Sequence, residues 1–165
     1  ALLGGCGYGL VRSDAPNPLR DTQMVRKIYV APPKNNGFRP GSEIYVYSAL
    51  VRKLPAMRRI AIVGSPADAD AVLYTIIHNS ATTGGNPAIY GGSFMATFSL
   101  ERREPGSNAA TVLYRGSFGG GKDFAGAPGG PTSRMINESE VDRAFKEGAD
   151  IAAENLHEAM FGVAF

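Results

Sequence analysis

The stretch "SFMATFSLE", residues 93 to 101, alternates without a break: Phe94, Ala96, Phe98 and Leu100 fall on one side, and Ser93, Met95, Thr97, Ser99 and Glu101 on the other. A period of two is the period of a pleated strand, and here it demands a sheet with one dry face and one wet face. The dry face needs an apolar cover. Two segments can supply it. Ser42 can cap a helix whose apolar positions Ile44, Tyr47, Leu50, Val51 and Leu54 recur at three-to-four spacing until Pro55. Asn137 with Glu140 has the pattern of a capping box. It precedes a helix of about 25 residues with Val141, Phe145, Ala149, Ala152, Leu156 and Met160 on one stripe and mostly acids opposite.

The other apolar runs read as strands. "VRKIYV" (25–30) is stopped by Pro32 and Pro33, and "RRIAIVG" (58–64) ends at Gly64 and Pro66. "ADAVLYTIIHN" (69–79) is apolar on both faces, with Val72, Tyr74 and Ile76 opposing Leu73 and Ile77, as a central strand requires. "TTGGNPAIYGG" and "EPGSNA" are turn-rich connections of hairpin length, so this strand, the alternating one and "TVLYRGSF" (111–118) should pair antiparallel. The passage from the first strand through a helix to the second suits a right-handed parallel crossover. With 44% apolar and 19% charged residues the chain has the means to bury a core. The expected fold is α+β: a two-layer sandwich, with two amphipathic helices packed on one face of a mixed, mainly antiparallel four- or five-stranded sheet, as a single domain over residues 25–165.

The first ten residues, "ALLGGCGYGL", place the single cysteine, Cys6, after Leu3, Gly4 and Gly5. Small residues let an extended backbone enter a protease cleft, and a cysteine at the cut can carry lipid, so this resembles a bacterial lipobox. On this reading residues 1–5 are the residual tail of a signal peptide, 6–24 a lipidated tether, and Cys6 the lipid anchor. No other apolar run approaches membrane-spanning length, so the expectation is attachment to a membrane without crossing it. Gly7 stands where an aspartate would retain many such proteins at the inner membrane, which favours the periplasmic face of the outer membrane.

Motifs for catalysis are weak. Gly116, Gly121 and Lys122 have P-loop spacing. A phosphate cradle, however, needs glycines that open a helix and a Ser or Thr after the lysine. Here Asp123 adds negative charge, and "FAGAPGGP" cannot propagate a helix. The stretch 116 to 131 reads instead as a long, flexible connection from the last strand to the last helix, with Gly119, Gly120, Gly121 and Lys122 as a candidate partner-contact loop. His78 and His157 have no ligand partners at metal spacing and read as a strand residue at the solvent or a polar edge and a helix-surface residue. Asp68 and Asp70 look like turn residues before a strand. Ser93 and Ser117 lack a nucleophile-elbow context. No catalytic residue, metal or cofactor is indicated, and the expectation is a non-enzyme.

Charge is uneven. Residues 1–60 hold ten Lys or Arg against three acids, +7, and residues 61–165 hold seven against twelve, −5. This suits an anionic partner for one surface, although nothing patterned for nucleic acid accompanies it. Taken together, "LGGCGYGL", "IYVAPPKNNGFRPGSE", "EIYVYSALVRKL" and "ADADAVLYTII" resemble the lipopolysaccharide-assembly lipoproteins, the LptE-like family. The residues that carry the resemblance are Asn35 or Asn36, Glu43, Leu50, Ala69, Asp70, Val72 and Leu73, all within residues 3–78, whereas the Gly-rich segment departs from the family pattern. The resemblance implies an outer-membrane lipoprotein that plugs a β-barrel lipopolysaccharide translocon, assists its assembly and helps deliver lipopolysaccharide to the outer leaflet. Candidate contacts for lipid A phosphates are Lys34, Arg39, Arg52, Lys53, Arg58 and Arg59. The alternative is a periplasmic lipoprotein scaffold or an activator of a cell-wall synthase, since the element pattern suits that class as well.

Overall fold

The computed structural model describes residues 24–57, 60–86, 89–103, 110–125 and 138–161. Six strands and two helices are found among them: β1 (Lys27–Val30), β2 (Lys34–Asn35), α1 (Ser42–Met57), β3 (Ala61–Ile62), β4 (Ala71–Asn86), β5 (Ile89–Arg103), β6 (Ala110–Ala125) and α2 (Glu138–Phe161), with a short 3₁₀ turn (Pro66–Asp68) before β4. Cys6, Arg58, Arg59, Asn137 and residues 126–131 lie outside the described residues.

The strand order is β3-β1-β4-β5-β6, with β2 also on β4. β4 is central, as its two apolar faces require. Its one edge takes β1 in parallel, Tyr29 opposite Val72, and then β2 in parallel, Lys34 opposite Ile76. Its other edge starts an antiparallel meander through β5 to β6. β1 and β3 are parallel neighbours with α1 between them in sequence, as expected of a crossover. The fold is thus the α+β sandwich expected, with six strands where four or five are legible.

Both helices cover the dry face. Leu73 and Ile77 of β4, Phe94, Ala96, Phe98 and Leu100 of β5, and Leu113 of β6 are buried in one cluster with Val46, Ala49, Leu50 and Leu54 of α1 and the whole expected stripe of α2. Full burial of such side chains contributes about 1.5–3 kcal/mol each, which is the main force closing the layers. The stripe of α1 is rotated from the one expected. Ile44 and Tyr47 are 64% and 40% exposed, and the buried positions are Val46, Ala49, Leu50 and Leu54. Both sets fit helical spacing, and the second places two small or β-branched residues against the sheet. His157 is corrected too: it is 3% exposed and its ring lies 5.2 Å from that of Phe161. It follows Leu156 on the helix and shares a side with Ala153 and Met160, so the core face is wider than the stripe read from the sequence.

The largest correction concerns the Gly-rich segment. Residues 116 to 125 are neither loop nor connector. They extend β6, in register with β5 from Gly116 opposite Phe98 to Ala125 opposite Ile89. Likewise "TTGGNPAIYGG" is mostly strand, with Asn86 already opposite Ile89. The glycines have a packing reason. A Cβ at Gly120 would stand 1.9 Å from the carbonyl oxygen of Gly148 in α2, and one at Gly148 would stand 2.8 Å from the carbonyl carbon of Gly120. Helix and strand therefore touch backbone to backbone, which only glycine permits.

Candidate functional site

The open face of the sheet is built from the polar half of the alternation. Register places Lys34, Ile76, Thr97 and Ser117 side by side across β2, β4, β5 and β6. Tyr74, Ser99 and Arg115 form the adjacent row. Between Ile77 and Asn79 the pairing of β4 shifts by one residue, and His78 is the extra one. A bulge re-aims a side chain, and this one brings His78 Nε2 within 2.8 Å of Thr97 Oγ1. Thr97 Oγ1 is in turn 2.9 Å from Ser117 Oγ. Glu101 accepts a hydrogen bond from the hydroxyl of Ser99 at 2.8 Å. Tyr74, Ile76, His78, Thr97, Ser99 and Glu101, with Pro32 and Lys34 at one side and Arg115 at the other, line an open groove of about 470 Å³. That volume lies in the range of small-molecule sites.

The cations singled out in the sequence separate into two groups. Arg39 reaches Glu138 at 3.1 Å and Asp142 at 2.9 Å, both on α2, and lies over the ring of Phe145, 5.1 Å from its centroid. Burial opposes the charge of Arg39, but the two carboxylates outweigh it and raise its pKa. Arg52 and Lys53 of α1 pair with Asp150 and Glu154 of α2. Lys122 pairs with Glu147, so it ties the helix to β6. Gly119, Gly120 and Gly121 belong to the same strand and do not form a loop. Lys34 alone of the described candidates makes no such pair, and it lines the same groove as His78, Thr97 and Arg115. Arg115 was not among the candidates. Its only signal in the sequence is its place on the wet side of "TVLYRGSF".

The residues behind the family resemblance prove to be architectural. Asn35 of β2 donates to Glu43 Oε2 at 2.7 Å, to Ser42 Oγ at 3.1 Å and to the carbonyl of Arg39 at 2.8 Å, while its own Oδ1 accepts from the N–H of Gly37 at 2.9 Å. The carboxylate of Glu43 also accepts the N–H of Gly41 at 3.0 Å. Hydrogen bonds from its own backbone first, and then from Asn35 and Gly41, hold the Glu43 carboxyl below its ordinary pKa against the opposing effect of burial. A negative charge in the first turn also complements the helix dipole. Asp70 accepts the N–H groups of Arg26 and Lys27, each at 2.8 Å, and so fixes the start of β1 to that of β4. The sequence reading of Asp70 as a turn residue misses this link.

No group of three His, Cys, Asp or Glu side chains suited to a metal stands together among the described residues. No described helix is long and apolar enough to cross a membrane. No protein-family model and no curated protein matches the sequence. Solved structures do match. A Xanthomonas campestris protein of the family model DUF330 superposes with a TM-score of 0.54 at 12% identity, over 82% of this chain and 84% of that one. A Caulobacter crescentus protein described as a lipoprotein gives 0.51 at 12% identity, over 78% of this chain and 86% of that one. The fold occurs among bacterial lipoproteins. A hypothetical protein from Chlamydia trachomatis shares it as well, with a TM-score of 0.50 at 9% identity over 82% and 92% of the two chains. At such identities the likeness is one of fold.

Proposed function

We propose that the chain is a non-enzymatic, lipid-anchored protein on the periplasmic face of the outer membrane, acting within a β-barrel lipopolysaccharide translocon to assist its assembly and the delivery of lipopolysaccharide to the outer leaflet. One observation carries this reading. Asn35, one of the two asparagines that suit the resemblance to the lipopolysaccharide-assembly lipoproteins, and Glu43 and Asp70, which also carry it, tie β1, β2, α1 and β4 together. These three residues thus belong to one structural unit, which supports the reading. The lipobox-like "LGGC" before Gly7 and the fold shared with the Caulobacter lipoprotein support the anchor.

The test is made in the source bacterium. Labelled palmitate should enter the protein and be lost in Cys6→Ala. Affinity purification from detergent-solubilised outer membranes should recover an outer-membrane barrel that exports lipopolysaccharide. Recovery of a cell-wall synthase without such a barrel would refute the translocon role, and palmitate incorporation that survives Cys6→Ala would refute the anchor.

A further inference from the structure

We infer that the groove on the open sheet face is a binding site for a small amphiphilic oxyanion, a phosphomonoester with a short apolar body. The inference stands apart from the lipid anchor and from any barrel partner. It starts from where charge is already satisfied. Arg39, Arg52, Lys53 and Lys122 are held by carboxylates of α2 and so have no charge to offer a ligand without breaking an ion pair. Lys34 and Arg115 make no ion pair among the described residues, and both are exposed in the groove.

Their placement follows from the register. Lys34 is on β2 and Arg115 on β6, with β4 and β5 between them. Three strand spacings across the sheet and two residues along it put their backbones about 16 Å apart. Two long side chains can lean inward from that separation onto one anion. Glu101 is the single acid in the lining and is engaged by Ser99, so Lys34, Arg115 and Glu101 together leave one net positive charge. His78 and Thr97 of the lining, with Ser117 hydrogen-bonded to Thr97 from β6, add donors. In a neutral row with two hydrogen bonds, three N–H or O–H hydrogens are shared among three groups. One is left over in every arrangement, on Ser117, on Thr97 or on the far ring nitrogen of His78. An oxyanion with several lone pairs can accept from that donor and from the two cations together, and hydrogen bonds between charged groups are the strong ones. Pro32, Tyr74 and Ile76 supply the apolar floor. A bare inorganic ion would leave that floor uncovered, which is why the ligand should have an apolar body.

The experiment uses the ¹⁵N-labelled full-length chain titrated with hexyl phosphate, with inorganic phosphate and hexanol as partial probes. Hexyl phosphate should give saturable shifts at residues 74–78, 97–101 and 115–117 and bind more tightly than either partial probe. Lys34→Gln and Arg115→Gln should each weaken it about tenfold, as loss of a charged hydrogen bond does. Arg52→Gln, which touches only the helix pair, should leave affinity unchanged. Both groove positions are exposed, so the variants should keep the wild-type fold, and the mapping on the wild-type protein needs no variant. Shifts located elsewhere, hexanol binding as tightly as hexyl phosphate, or equal weakening by Arg52→Gln would overturn the assignment. So would capture by phosphatidic acid vesicles with no response of the groove to hexyl phosphate, since the anion would then be recognised at a membrane surface and not in the groove.

Discussion

Replacing Gly120 with alanine tests the backbone contact between α2 and β6. The new Cβ would stand 1.9 Å from the oxygen, 2.5 Å from the carbonyl carbon and 2.7 Å from the Cα of Gly148. All three are backbone atoms, so no side chain can swing away. Reaching an ordinary contact of 3.4 Å requires a local separation of about 1.5 Å more, obtained only by lifting the helix. A gap of 0.5–1 Å already forfeits a quarter to a half of the dispersion energy of the atoms facing it. Here Ala144, Phe145, Ala149 and Ala152 all lose contact together. The destabilisation should therefore reach the upper end of the overpacking range, about 3 kcal/mol. With a urea slope of roughly 2 kcal/mol/M, the midpoint followed by circular dichroism should fall by about 1.5 M. Gly148→Ala is milder, because its Cβ, 2.8 Å from the carbonyl carbon of Gly120, needs about 0.6 Å more by the same measure. The same change adds up to about 1 kcal/mol of helix propensity, which offsets part of an overpacking cost of about 1–3 kcal/mol and leaves a net destabilisation of about 0–2 kcal/mol. Gly64→Ala, with no atom within 4 Å of the added carbon, is the neutral reference. A Gly120→Ala midpoint indistinguishable from that of Gly64→Ala would show that the helix does not rest on the strand.

Two further outcomes follow from the loop and strand ties. Because the Glu43 carboxyl is held below its ordinary value near 4.5, its charge stabilises the fold fully above that value, and the contribution is lost as pH falls through the lowered pKa. Urea midpoints should thus separate wild type from Glu43→Gln at pH 6 and converge toward pH 3; a gap that does not change with pH would contradict the charge-based account. Asp70→Ala removes acceptors from two backbone N–H groups at the start of β1 and should destabilise by about 1–2 kcal/mol, with faster amide exchange at residues 26 and 27 as the local signature.

Legibility in the sequence tracks side-chain periodicity. The alternation of β5 and the stripe of α2 each have a repeat that burial confirms, and the apolar run of β4 marks a strand paired on both edges although Tyr74 and Ile76 are only half-buried, so the sandwich and its meander could be read directly. β2 could not, since two residues hold no period, yet its pairing positions Lys34 at the groove. Gly119, Gly120 and Gly121 conceal the far half of β6 because a residue without a side chain has no pattern to show, and turn-forming composition is then the only cue. The groove escaped for a different reason. Opposite charges that neutralise one another lie far apart in the chain, so the sequence displays Arg39, Arg52 and Lys53 as a basic cluster while their partners on α2 are out of view. Arg115 appears isolated in sequence and becomes part of a site only through the register of four strands.

The separation of those ion partners has a consequence for how the protein comes into being. The cations of α1 and its preceding loop meet carboxylates some 98 to 103 residues later in the chain. A polypeptide emerging from its N-terminus therefore carries a dry sheet face and a run of unanswered positive charge until α2 has been delivered. Docking of that helix is the closing step, supplying the cover for β5 and β6 and the counter-charge for α1 in the same event. A chain interrupted before residue 138 lacks both, so its exposed apolar face and uncompensated basic surface would distinguish unfinished copies from finished ones to any protease or chaperone that samples them.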